Sequence, residues 1–162
     1  MKKAIVIGAT GMVGTQLIQL LLRDNDYSEI VSFGRHSSGI TDPKLKELLI
    51  NFDQPETWSK KITGDVLFST LGTTIAQAKT KEAQYQVDFT YQYNVAEIAA
   101  KNGVSHYVLI SSAGANSKSK NFYIRIKGEL EVAVQALPFI KISILRPGQL
   151  DGKRIQKRLA ER

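Results

Sequence analysis

Short apolar runs bounded by glycine, asparagine or charged residues recur along this chain, and between them lie longer stretches whose apolar positions fall three and four apart. Ala4 to Ile7 opens the series, followed by Ile30 to Phe33, Leu48 to Phe52, Val66 to Thr70, Tyr107 to Ile110 and Ile142 to Leu145. Runs with so few polar residues predict strands covered on both faces. Met12 to Leu22, Lys81 to Asn102 followed by Gly103, and Tyr123 to Ala136 ahead of Pro138 carry helical spacing and its stop signals. Strands alternating with helices predict βαβ crossovers, and therefore an α/β fold: a doubly wound parallel sheet of about six strands with helices on both faces. Ser37 to Pro43 and Gly114 to Asn121 are rich in Gly, Ser, Asn and Lys and predict loops at strand ends, where such sheets bind ligands.

The first strand carries the clearest chemistry. It runs straight into Gly8-x-x-Gly11-x-x-Gly14, and a helix pattern starts at Met12. Gly8 suits a tight turn, Gly11 lets the backbone approach a pyrophosphate without an intervening Cβ, and Gly14 lets the helix pack close to the strand. The helix start then offers N–H groups and a partial positive charge to phosphates. Strand, glycine turn and helix in this order point to a dinucleotide site.

Composition narrows the picture. At 162 residues the chain is read as a single domain spanning 1–162, large enough for its own core, with a missing C-terminal substrate-capping segment left open by the short basic stretch Lys153 to Arg162. No cysteine is present and the only histidines are His36 and His106, so no disulfide framework and no metal cluster is expected. Glycines interrupt the apolar run after Met1-Lys2-Lys3, and no run nears the ~20 residues of a membrane span, so the expectation is a cytoplasmic protein without a membrane partner. The net charge of +7 would suit an anionic partner, but the basic residues form two separate groups around Lys118 to Lys127 and Lys153 to Arg162. No nucleic-acid motif accompanies them, and no nucleic-acid partner is expected.

Tyr123-x-x-x-Lys127 places a phenol and an ammonium on one face of a helix. An ammonium beside a phenol favours its ionised form, so such a pair can pass a hydroxyl proton near neutral pH. Alone, the spacing also fits an ordinary amphipathic helix. Here Ser111 and Ser112 end the preceding strand, where a hydroxyl could meet a substrate carbonyl.

Glycine turn, strand-end serine and Tyr-x-x-x-Lys in this order resemble the short-chain dehydrogenase/reductase superfamily over nearly the whole chain. The glycine spacing is that of its extended and atypical branches. Leu71-Gly72-Thr73-Thr74, Ser111-Ser112-Ala113-Gly114 and Leu145-Arg146-Pro147-Gly148 look most like the Tat-interacting-protein group of NAD(P)H-binding members. The resemblance implies a Rossmann fold with Tyr123 as general acid/base, Lys127 holding the nicotinamide ribose, and Ser112, with Ser111 as the alternative, orienting the substrate oxygen. It further implies that Gly8, Thr10, Gly11, Met12, Val13 and Gly14 cradle the pyrophosphate, that Leu71 and Gly72 pass the adenosine ribose, and that Pro147 and Gly148 lie near the carboxamide. Asn51, beside Phe52, stands where the family often places an aspartate at the adenine, with Asp53 as the alternative.

Cofactor choice is read from the turn after the second strand. An acid there would take the ribose 2′-hydroxyl, but Gly34 stands at that place and Arg35 follows it with a fork suited to a 2′-phosphate. The expectation is NADP(H) over NAD(H). Two functions remain open: an NADPH-dependent oxidoreductase acting on a small carbonyl or alcohol, and an NADP(H)-binding regulator without turnover. A sugar-nucleotide epimerase or dehydratase is a third, for which Trp58, Tyr91, Tyr93 and Phe122 would be stacking candidates. The oligomeric state is left as monomer or homodimer.

Overall fold

The computed structural model describes residues 1–151. The basic stretch Lys153 to Arg162 lies outside them. Six strands form one parallel sheet: β1 (Lys2–Ile7), β2 (Tyr27–Gly34), β3 (Leu45–Leu49), β4 (Val66–Ser69), β5 (His106–Ile110) and β6 (Lys141–Leu145), in the order β3-β2-β1-β4-β5-β6. Every adjacent pair is parallel, with Ala4 opposite both Ile30 and Val66 in the central register. The order reverses between β1 and β4, which is where a doubly wound sheet opens a crevice at its carboxyl edge.

Alternation along the strands sorts side chains into two layers. Ala4, Val6 and Ile30 face α1 (Met12–Arg23), where Ile18 and Leu21 meet them. Ile5, Ile7, Phe33, Leu67, Tyr107 and Leu109 face the opposite layer. There α4 (Gln92–Lys101) contributes Val95, Ala96 and Ala99, and α5 (Phe122–Gln135) contributes Leu130 and Val134. Trp58 closes this layer beyond β3, 1% exposed and donating its ring N–H to the Asn51 carbonyl at 2.8 Å.

Two elements differ from the sequence reading. The third strand spans Leu45–Leu49 rather than Leu48 to Phe52. On this edge strand Lys46 and Glu47 interrupt the apolar residues and Lys46 and Leu49 are exposed, a pattern an apolar run does not capture, and a turn in which Asp53 N donates to Asn51 Oδ1 at 3.0 Å follows it. The long helix expected over Lys81 to Asn102 is composite: a first turn of α-helix, α3 (Lys81–Tyr85), a π-helical segment (Gln86–Tyr91), then α4. The short α2 (Ile75–Ala78) precedes it, capped by Thr74, whose side chain accepts from Gln77 N.

Two glycines of the first turn are required by close approach. Gly8 sits at φ +84°, and a Cβ on it would lie 2.5 Å from Leu71 N, so the turn after β1 lies directly against the end of β4. A Cβ on Gly14 would strike the Gly8 carbonyl. The helix start is thereby drawn tight to the turn.

Candidate functional site

The carboxyl edge of the sheet gathers most of the residues singled out in the sequence. The Gly8–Gly14 turn leaves β1, Arg35 follows β2, Leu71 and Gly72 follow β4, Ser111 and Ser112 follow β5, and Pro147 and Gly148 follow β6. The turn closes through Gly11 N donating to Gly8 O at 3.0 Å, and Gly11 caps α1 without a side-chain acceptor. Thr10 is exposed, and Met12 and Val13 are half-buried at the first turn of the helix. Next to Val13, Ile110, Leu145, Pro147 and Leu150 line an apolar hollow of about 410 Å³. The backbone beyond β5 and β6 stays paired, with Ala113 N donating to Pro147 O at 2.9 Å, so the two strand-end segments are tied together. This tight glycine turn, whose shape a Cβ at position 8 or 14 would break by striking neighbouring backbone, fits a dinucleotide.

Tyr123 and Lys127 lie one turn apart on α5. Lys127 is 5% exposed, its Nζ is 5.5 Å from the centre of the Tyr123 ring, and it pairs with Asp88 Oδ1 at 3.1 Å. Asp88 is fully buried and also receives Thr73 N at 3.3 Å, so the segment after β4 and the lysine of α5 meet at one carboxylate. Gly72 borders the same place: a Cβ there would be 3.1 Å from Asp88 Oδ1 and 3.7 Å from Lys127 Nζ. Sequence reading missed Asp88. Its signal was present in Gln84, Asp88 and Gln92, three polar residues four apart on a face that turns inward, all of them buried. The π-helical segment widens the turn around Asp88. Gln92 then satisfies the Asp88 carbonyl through Nε2 at 2.9 Å while its Oε1 accepts from Ser69 Oγ at 2.6 Å.

The two serines face different ways, as consecutive strand residues must. Ser111 is 7% exposed and turns its hydroxyl toward Glu131 without completing a hydrogen bond. Ser112 is half-exposed, with only a long contact of 3.5 Å to the Ala113 carbonyl. Glu131 is held by Arg146 through Nε at 3.0 Å and Nη2 at 2.5 Å. Burial works to raise the Glu131 carboxyl, but the Arg146 guanidinium bonded to it outweighs this and leaves it below the usual carboxylate range. Arg146, Glu131, Asn116 and Ser117 border a cleft of about 390 Å³ between α5 and the loop after β5.

The adenine side is built differently from the expected pattern. Phe52 is 4% exposed, stacked on Tyr91 with ring centres 5.0 Å apart and set edge-on to Trp58, so its side chain belongs to the core. Asn51 Oδ1 is taken by its local turn, and Asp53 Oδ1 accepts from the Tyr91 hydroxyl at 2.9 Å. Burial raises the Tyr91 hydroxyl's pKa, Asp53 adds to this, and the field of the exposed Arg35 partly offsets it. Arg35, exposed after β2, is thus near enough for its charge to act on Tyr91. Trp58, Tyr91 and Tyr93 pack in or against the core, while Phe122 lies between Lys81 and Arg125.

A family model described as NAD(P)H-binding matches residues 8–161. The chain belongs to that family. It is similar to the protein fmp52, mitochondrial, of Aspergillus fumigatus, with 36% identity over 168 residues covering 99% of this chain and 72% of the relative. The FMP52 protein of Candida albicans, also named mitochondrial, is 33% identical over 154 residues, covering 92% and 67%. Among solved structures, the enzyme WbmG of Bordetella bronchiseptica in complex with NAD superposes with a TM-score of 0.75 at 14% identity, over 90% of this chain and 52% of that one. UDP-glucose 4-epimerase of Thermotoga maritima with UDP-glucose gives 0.70 at 15%, over 89% and 54%. The chain spans about half the length of these solved structures, and at such identities they share the fold. With these findings it is an atypical member of the short-chain dehydrogenase/reductase superfamily.

The expectation of a cytoplasmic protein is corrected here, because relatives at 36% and 33% identity carry mitochondrial names. The features used for that expectation, an interrupted N-terminal apolar run and no long apolar segment, report on membrane crossing and not on compartment. Among the described residues no helix is long and apolar enough to cross a membrane.

Proposed function

We propose that this chain is an NADPH-dependent oxidoreductase that exchanges hydride with a small carbonyl or alcohol. The observation that carries this reading is the placement of Tyr123 and Lys127 on one face of α5, with the ammonium 5.5 Å from the phenol ring and fastened at the end of β4 by Asp88. A bound nicotinamide would supply the hydride chemistry. The chain's own part is position and proton handling. The Gly8–Gly14 cradle would hold the pyrophosphate against the start of α1, and Leu71 and Gly72 would border the adenosine ribose. Pro147 and Gly148, tied to the end of β5 through Ala113, would face the carboxamide. Ser112 is the half-exposed serine and would orient the substrate oxygen, while Tyr123 would give or take the hydroxyl proton. Lys127 would hold the nicotinamide ribose, its direction set by Asp88. Arg35 would pair with the 2′-phosphate, which supports NADP(H) over NAD(H).

Side-by-side calorimetric titration with NADPH and NADH tests the site, and turnover of a panel of small aldehydes and ketones tests the chemistry. The expected outcome is tight binding with NADPH preferred, and turnover abolished by Tyr123→Phe with cofactor binding kept. Binding without any turnover would favour the regulator reading, and no binding of either dinucleotide would refute both.

A further inference from the structure

We propose that Glu47 selects at the adenosine ribose of this site, opposing the 2′-phosphate and favouring the 2′-hydroxyl; this rests on the dinucleotide reading above. At the end of β2, where an acid was expected, the chain carries Gly34. The structure brings one in from the neighbouring strand. Glu47 lies on β3 opposite Ser32, and its side chain reaches the turn that leaves β2. Its Oε2 accepts from Ser37 Oγ at 2.6 Å and its Oε1 accepts from Ser38 N at 2.8 Å. Ser37 Oγ also accepts from Gly39 N at 3.1 Å, so the whole turn is organised around this carboxylate. Burial works to raise the Glu47 carboxyl, yet the donors from Ser37 and Ser38 leave it below its usual value, and it stays ionised at neutral pH.

In sheets of this order the turn after the second strand receives the adenosine ribose. A hydroxyl and a backbone N–H there are the donors an incoming phosphate would use, and Glu47 already engages both. A phosphate would have to share them with a negative charge in a half-buried setting, where screening is weaker than in bulk water. A ribose hydroxyl meets no such penalty, since each carboxylate oxygen keeps a second lone pair for it. Arg35, on the same turn, acts with the opposite sign. Cofactor preference is then the difference between one attractive and one repulsive charge, not the property of Arg35 alone.

The experiment is calorimetry on the whole chain and on Glu47→Gln, with NADPH, NADH, 2′,5′-ADP and ADP as ligands. The glutamine keeps the side chain's size and one acceptor while removing the charge. The expected result is a rise of about tenfold in the preference for NADPH over NADH, matched by 2′,5′-ADP over ADP, because the fragments contain only the adenosine end. Glu47→Ala should shift both ratios in the same direction. Unchanged ratios, or ratios that move toward the unphosphorylated ligands, would overturn the role and leave Glu47 as a buttress of the turn. Failure of the unaltered chain to bind either dinucleotide would instead remove the reading beneath it.

Discussion

Asp88 and Lys127 form a buried ion pair between two segments that the sequence separates by 39 residues. Removing one member of such a pair leaves the other charge buried without compensation, which typically costs about 3–5 kcal/mol. Asp88→Ala should therefore lower unfolding free energy by about that amount in urea titration. Asp88→Asn keeps the size and the acceptor for Thr73 N, so it should cost less while releasing Lys127 from its fixed direction. In the proposed enzyme that release should reduce turnover more than cofactor affinity, a split read by comparing kcat with the dissociation constant. At Gly14 the constraint is steric. A Cβ would strike the Gly8 carbonyl, so Gly14→Ala should push α1 away from the turn and weaken both NADPH and NADH together. Arg35→Ala should weaken NADPH far more than NADH, and equal losses in calorimetry would remove Arg35 from the 2′-phosphate.

Among the elements, α5 does most to assemble the site. One face offers Tyr123, Lys127 and Glu131 at successive turns, and the neighbouring face receives the loop after β5. Gly128 makes that contact possible, because a Cβ there would run into the backbone of Asn116 and Ser117. Asn116 N and the Ile124 carbonyl are 3.2 Å apart in the same contact, and Arg125 donates to the Ser119 carbonyl at 3.2 Å. Gly128→Ala should consequently detach this loop. The expected signs are faster amide exchange over residues 113–121 and a lower Tm, with β1 to β4 unaffected. The π-helical segment belongs at this scale too. Its sequence, Gln86 to Tyr91, has ordinary helical spacing, and the wide turn arises because Asp88 and Gln92 must both be satisfied by partners on β4, its following loop and α5.

Across the molecule, acid should destabilise in two steps. His106 has its pKa lowered by burial and by Lys141 and Lys2, and it sits 2.9 Å from Ser143 Oγ between β5 and β6. A histidine kept neutral by the fold contributes fully above the unfolded value of about 6.5, and the contribution is lost as pH falls through the lower folded value. Glu131, below its usual value, contributes fully above the ordinary 4.5 and loses that contribution at still lower pH. Unfolding free energy measured against pH should therefore decline first just below 6.5 and again below 4.5, and His106→Gln should flatten only the first step. Because Glu131 and Arg146 tie α5 to the end of β6, the second step should also loosen the Ala113–Pro147 contact.

Period and punctuation along the chain determined the layers. Apolar runs near 4, 30, 66 and 107 read as strands buried on both faces, the run near 142 as a further strand that forms the edge β6, and three glycines after the first fit a close turn, so fold and dinucleotide cradle were legible without coordinates. The edge strand β3 was not, since Lys46 and Glu47 break its apolar residues where the sheet's edge meets solvent. Tertiary structure alone decided which polar groups meet. Glu47 reaches Ser37 because β3 lies beside β2, and Asp88 reaches Lys127 because α5 packs against the helix of the preceding crossover. It also decided that Phe52 fills the core and that Ser111 turns inward while Ser112 stays accessible. Local patterns encode which surface of an element is buried, whereas a charge finds its partner only once the sheet order has brought distant strands and helices side by side.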